Sequence, residues 1–201
     1  NLLEIDKKNR YVLFYNSYKR PRFNFSMFRK YDNVEIRRFR WPNKLLNFFF
    51  WYLDWPKIDR MVGGADIVFF PNIIFGSVSR ECKLILTIHD LSFERMPECY
   101  SWKRRLWHIF INPKRLCRRA DKIIAVSDST KKDVSFWYGI GENKITTIHS
   151  AVCDRFRSLD RNDLGLLEVK EKYGLPFKFI LYFGTIEPRK NIIGVIKAYN
   201  R

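Results

Sequence analysis

Short apolar runs recur along the chain, each closed off by polar or turn-forming residues. They fall at residues 11–15 (YVLFY), 34–39, 66–70 (DIVFF), 83–88 (KLILTI), 122–126 (KIIAV), 144–148 and 177–183 (FKFILYF). Runs of this length and purity read as strands, and 66–70 and 83–88 in particular as strands of a buried parallel sheet. Longer stretches between them predict helices at 44–55, 102–119, from Ser127 to about Gly139, 167–173 and 191–199. The first of these is aromatic almost all round, and the second is basic and amphipathic. Ser127 is placed to cap its helix and Gly139 to stop it. A basic, proline-containing loop separates the first two strands. Strands alternating with helices predict a doubly wound α/β fold, a Rossmann-like parallel sheet with helices on both faces.

The pattern divides the chain. Residues 1–150 form one unit, 151–176 a linker with one short helix, and 177–201 a new strand, loop and helix that open a second α/β unit. The opening residues read as the end of a helix, and the last residue falls inside another helical pattern. Both ends are expected to be interruptions of structure rather than natural termini. No internal repeat or low-complexity tract is visible.

Charge narrows the partner. With 38 Lys and Arg against 21 Asp and Glu the chain carries a formal +17, which asks for something anionic. Nucleic acid, an anionic membrane face and a phosphorylated small molecule all satisfy that demand. Aromatic residues make up 17% of the chain and are mixed among the cations, which suits a membrane interface or single-stranded nucleic acid. No apolar run reaches the roughly 18 residues of a spanning helix; the nearest, 45–53, ends at Asp54. Cys82, Cys99, Cys117 and Cys153 form no CxxC pair and have no histidine at ligand spacing. That argues against zinc and for a reducing cytoplasm. A surface polybasic and aromatic helix pair would then make the protein peripheral on the inner membrane face.

Candidate chemistry concentrates in the second unit. Its strand ends at Gly184, turns through Thr185 and Glu187-Pro188, and enters a helix after Arg189-Lys190-Asn191. Glycine permits close backbone approach, while a helix start and two cations favour a diphosphate at the carboxyl end of a strand. On residue types alone, an ordinary polar turn with two solvated cations is the better reading.

The run FGTIEPRKNIIGVIKAYNR resembles the first βα unit of the nucleotide-sugar domain in glycosyltransferase family 4, of the two-domain GT-B type. It is most similar to the mannosyltransferase-like branch, which writes the loop G-T-x-E-P-R-K-N. LTIHDLSFERMPECYS, ADKIIAVSDSTKKDV, KITTIH with SAVCDRF, and NLLEIDKKNRYVLFYNS resemble successive stretches of the family's acceptor-side domain. The resemblance implies a retaining transfer of a hexose, mannose from GDP-mannose, to a lipid-linked or polysaccharide glycan. It implies Gly184, Thr185, Arg189 and Lys190 at the donor diphosphate. Many members carry an Arg directly after the Gly, where this sequence has Thr185, so Arg189 is the candidate substitute. On this alignment the family's Gly-rich loop lies before Asn1 and its acidic E-x7-E segment beyond Arg201, so the 201 residues alone are expected to be inactive.

At the carboxyl end of a strand His89 reads alone equally as a satisfied structural residue or a functional one; the resemblance implies that it faces the donor sugar and hydrogen bonds near the anomeric centre. Asn72 and Asp90 are candidates for lining that cleft, with a turn-forming Pro71-Asn72 pair an equal reading for the first. Asp90 and Ser92 are expected to shape the loop rather than react. His149 reads as structural or as a hinge contact, and His108 as surface. No DxD motif is present, so no metal or other cofactor is expected, with the sugar nucleotide as substrate. Two other classes stay open: a non-catalytic acceptor-domain fragment, and a basic nucleic-acid-binding module. The last lacks RNP motifs and paired zinc ligands, so nucleic acid is the weaker partner.

Overall fold

A computed structural model describes residues 2–19, 24–153, 156–160 and 162–200. Part of the basic loop after the first strand, residues 20–23, lies outside the described residues. A short helix α1 (Leu2–Ile5) leads to β1 (Tyr11–Asn16), which pairs in parallel with β2 (Val34–Phe39), Tyr11 opposite Val34. Helices α2 (Asn43–Tyr52) and α3 (Ile58–Met61) follow. The main sheet then begins with β3 (Ile67–Phe70) and β4 (Lys83–Ile88). After α4 (Ser92–Arg95), α5 (Trp102–Ile111) and α6 (Pro113–Arg119), the chain adds β5 (Lys122–Ala125). Helix α7 (Asp128–Tyr138) leads to β6 (Ile145–Thr147). The sheet order is β3-β4-β5-β6 and every pairing is parallel. This is the α/β architecture expected from the pattern.

The purity of the β4 run follows from its place. Leu84, Leu86 and Ile88 are at most 1% exposed and Thr87 is also buried, so both faces of the strand are covered. Ile123 and Ala125 of β5 continue that core, and Cys117, Ala120, Val134 and Tyr138 close it from α6 and α7. Each fully buried Leu or Ile contributes roughly 1.5–3 kcal/mol. Burial pushes the Cys117 thiol up to about 12, so it behaves as a small hydrophobe.

Several boundaries differ from expectation. The helix at 102–119 is two helices. Asn112 adopts φ 49° and ψ 71°, and its side chain caps the Arg115 N–H at 3.0 Å. Pro113 cannot continue a helix, because its ring blocks the preceding turn and it has no N–H. Helix α8 (Leu164–Lys172) starts before the expected 167 because Asp163 caps the Gly165 N–H. Residues 177–183 carry no strand, and Phe177, Ile180, Leu181 and Phe183 are largely exposed. A strand exists through its ladder, and no described strand runs beside this one. The loop and the helix α9 (Ile192–Tyr199) after it do form. Ser127 and Gly139 cap α7 as expected, the glycine at φ 66°. Among the described residues no helix is long and apolar enough to cross a membrane.

Candidate functional site

Parallel pairing sends the carboxyl ends of β3, β4 and β5 to one edge of the sheet, where open α/β sheets bind ligands. His89 follows β4 directly, and its Nε2 lies 3.0 Å from the Pro71 carbonyl after β3. A carbonyl only accepts, so Nε2 carries the hydrogen and a neutral ring offers Nδ1 as an acceptor. The His89 carbonyl in turn accepts from the Thr130 hydroxyl at 3.2 Å. Thr130 belongs to the first turn of α7, whose N-terminus Ser127 caps at 3.1 Å. His89 is thus held from the loop after β3 and from α7, and yet exposed. Asn72 is also exposed, and its side-chain oxygen accepts from the Ile73 N–H at 2.7 Å.

Asp90 is engaged locally. Its Oδ1 accepts from the Ser92 N–H at 2.9 Å and from the Ser92 hydroxyl at 2.5 Å. The Ser92 hydroxyl also meets the Tyr100 hydroxyl at 2.5 Å. Partial burial pushes the Asp90 carboxyl up, but the Ser92 bonds and then the charge of Arg189 outweigh it and hold the group below its usual range. Ser92 and Asp90 therefore shape the loop, as expected from sequence. Tyr100 was not legible there, since it sits in an aperiodic stretch and is recruited by a turn.

The loop 184–190 comes from the far end of the chain. Gly184 has φ 152°, and a Cβ there would sit 3.2 Å from the Tyr182 hydroxyl, so only glycine fits comfortably. Tyr182 donates to the Thr185 carbonyl at 2.9 Å. Glu187 is the hub: it accepts from the Thr185 hydroxyl at 3.0 Å and from Arg189 Nε at 2.7 Å. The Arg189 ion pair, then the Thr185 bond, hold the Glu187 carboxyl below its usual range. Arg189 is only 25% exposed at its side chain. Glu187, against some burial, and then the Tyr100 and Asp90 oxygens raise its pKa. Asp90 and Arg189 each favour the charged form of the other. Lys190 is exposed, with no side-chain hydrogen bond or ion pair among the described residues. Asn191 caps the Gly194 N–H of α9 at 3.3 Å, so part of that helix end is already satisfied.

The remaining histidines stand apart. His149 Nδ1 lies 3.3 Å from the Val126 carbonyl, a structural contact. His108 differs from expectation. It is half-buried, stacks on Phe93 with ring centroids 3.9 Å apart, and has its pKa lowered by that burial. Among the described residues no group of three or more His, Cys, Asp or Glu side chains could hold a metal ion. What these residues offer chemically is one free ammonium and one guanidinium tied to the Glu187 carboxylate in the 184–190 loop, and one oriented imidazole after β4. Such a set suits an anionic leaving group and a hydroxylated substrate rather than nucleophilic catalysis.

Comparison with known proteins identifies the family. The family model described as Glycosyltransferase Family 4 matches residues 6–155. The chain is 34% identical over 118 residues to a serotype-specific mannosyltransferase WbdA of Escherichia coli, covering 59% of this chain and 14% of that protein. It is 30% identical over 118 residues to an O-antigen chain mannosyltransferase B of Escherichia coli, covering 58% of this chain and 30% of that protein. The chain therefore spans less than a third of either relative.

Proposed function

The chain belongs to glycosyltransferase family 4, and we propose that it serves the transfer of a mannosyl group from GDP-mannose to a glycan, with retention at the anomeric carbon. The observation that supports this best is the loop that Glu187 organises through Thr185 and Arg189, which leaves Lys190 exposed and without a side-chain partner among the described residues. In this reading Lys190 meets the diphosphate charge that develops as the glycosidic bond breaks. Arg189 and Thr185 assist once the diphosphate competes with Glu187 for them. His89 Nδ1 accepts from a sugar hydroxyl beside the anomeric centre. Cations supply the charge stabilisation that a metal would otherwise give, so the reaction is metal-independent. Residues 1–150 form the acceptor side, 151–176 the linker and 177–201 the opening of the nucleotide-sugar side. The acceptor is a growing lipid-linked or polysaccharide chain, in keeping with the names of the two relatives.

The test is transfer by the full-length protein from GDP-mannose to a mannose-terminated, lipid-linked acceptor, with the new linkage read by NMR. An α-linked mannose formed equally well in EDTA is the expected product. Transfer from UDP-hexoses alone, or a β-linked product, would reject the reading.

Cytoplasmic work on a lipid-linked acceptor asks for reversible docking at the inner membrane face. Helix α2 buries Leu46 and Phe50 but exposes Phe48, Trp51 and Tyr52; α5 exposes Trp102, Leu106, Trp107 and Ile109 beside Lys103, Arg104 and Arg105. Each cation near an anionic surface adds roughly 1 kcal/mol, screened by salt. Sedimentation with phosphatidylglycerol vesicles is expected at low salt and not at high salt. The variant with Lys103, Arg104 and Arg105 changed to Glu should stay in the supernatant. Binding indifferent to lipid charge and salt would contradict docking.

A further inference from the structure

On the side of α2 and the α5–α6 junction, away from the 89–92 and 184–190 loops, lies an open groove of about 460 Å³. Its floor is apolar: Phe50, Phe70, Leu84 and Ile111 line it and are at most 6% exposed. Its mouth is walled by Trp51 and Phe110, whose rings meet edge to face at 5.0 Å. The rim carries five cations, Lys57, Arg60, Arg80, Arg115 and Arg119, against only two carboxylates, Asp54 and Glu81.

The cations are not equivalent. Arg119 is fixed as a strut, donating to the Ser79 carbonyl at 2.5 Å and the Cys82 carbonyl at 2.9 Å. Lys57 pairs with Asp54 at 2.8 Å, while Arg115 reaches the same carboxylate only at 3.9 Å. Arg60 and Glu81 stand 3.8 Å apart and largely in water, a weak pair. Arg80 has no hydrogen bond or ion pair among the described residues. The rim therefore has uncompensated positive charge at Arg80, and Arg115 only shares the Asp54 carboxylate with the closer Lys57. The wall behind it is preformed, because Ser77 donates to the Asp54 carbonyl at 2.6 Å and Asp59 accepts from the Ser79 N–H at 2.9 Å. Filling such a groove requires little ordering.

This combination selects its occupant. A free phosphate would use the rim and gain nothing from the floor. A neutral hydrophobe would use the floor and leave the rim uncompensated. An amphiphile with a phosphodiester head and the first methylenes of an acyl chain uses both. We infer that the groove binds one anionic phospholipid of the bilayer, head-group phosphate toward Arg80 and Arg115 and chain along Phe50, Phe70 and Phe110. The bilayer is the source because Trp51 and Phe110 belong both to the groove mouth and to the exposed aromatic band of α2 and α5. A lipid in the groove thus stays continuous with the membrane on which that band rests. The inference deepens the docking reading and rests on it for the lipid's source. It concerns a site that shares no residue with the donor cleft.

A soluble short-chain lipid separates the two. Isothermal titration with dihexanoylphosphatidylglycerol, held below its micelle concentration, should give saturable binding of one lipid per protein. Dihexanoylphosphatidylcholine and glycerol 3-phosphate should each bind at least about tenfold more weakly, lacking the net charge or the chain. Arg80→Glu with Arg115→Glu should weaken the phosphatidylglycerol complex by at least about tenfold. Arg80→Ala, an exposed and unpaired site, gives a milder loss without risk to the fold. The variant with Lys103, Arg104 and Arg105 changed to Glu should bind the monomeric lipid like its parent while failing to sediment with vesicles. Equal binding of the two phospholipids, equal binding of glycerol 3-phosphate, or no effect of the rim substitutions would overturn the groove. Salt-sensitive vesicle docking without monomer binding would overturn the groove and leave docking standing. Monomer binding without vesicle docking would do the reverse.

Discussion

In the full-length protein, Lys190→Ala is expected to lower kcat/KM for GDP-mannose by about two orders of magnitude, the loss of one transition-state charge contact of about 3 kcal/mol. The size follows from its position. Lys190 is the cation of the 184–190 loop that no side chain neutralises among the described residues. Its full charge is therefore available to the leaving diphosphate. Arg189→Ala should cost less, because its guanidinium is already held by Glu187 at 2.7 Å and influenced by Asp90 and Tyr100. Part of what a diphosphate gains from Arg189 is spent in displacing those partners. Steady-state kinetics with varied donor measure both. Parent-like kcat/KM in Lys190→Ala would remove the ammonium from the diphosphate, and a larger loss in Arg189→Ala would reverse the assignment.

His89→Ala is expected to reduce kcat roughly a hundredfold, the scale for removing one oriented hydrogen-bonding group from a transition state. Affinity for GDP should hardly change, since the nucleoside diphosphate is assigned to the other loop. The ring is fixed by Nε2–H to the Pro71 carbonyl, so the substitution removes an oriented acceptor and not a mobile one. His89→Asn, which can still accept but from a shorter reach, should fall between the two. Turnover and GDP titration together decide the matter. A protein that loses GDP affinity and keeps its kcat would place His89 away from the sugar.

Much of this was legible in the residues. The runs at 34–39 and 83–88 match β2 and β4 at both ends. For β4, burial on both faces leaves no ambiguity about which positions are apolar. The break at Asn112-Pro113 was also written in the sequence, since proline disfavours the helical conformation of the residue before it. There the longer amphipathic pattern concealed it. The missing strand at 177–183 has a different cause, because apolar composition predicts burial but hydrogen-bonding neighbours make a strand. The exposed helices show a third limit. α2 splits its rings between the core and solvent, which no single-helix pattern could apportion when nearly every face is aromatic.

The site divides the same way. His89, Lys190 and Gly184 could be picked out because each is tied to a strand end or a turn that the pattern locates. Glu187 could not, although it organises the loop. Its importance lies in a turn that brings Thr185 and Arg189 onto the two oxygens of one carboxylate. Tyr100 and the stacking of Phe93 on His108 depend likewise on how α4 and α5 meet.

The central claim, that the 184–190 loop holds the donor diphosphate, is tested most directly by lysine labelling with and without donor. Lys178, Lys190 and Lys197 are all exposed and belong to the same terminal segment, so the first and last serve as references. At GDP-mannose ten times its dissociation constant, acetylation of Lys190 should slow by about tenfold while Lys178 and Lys197 react as before. Undiminished labelling of Lys190 under that saturation, or equal slowing of all three, would contradict the account.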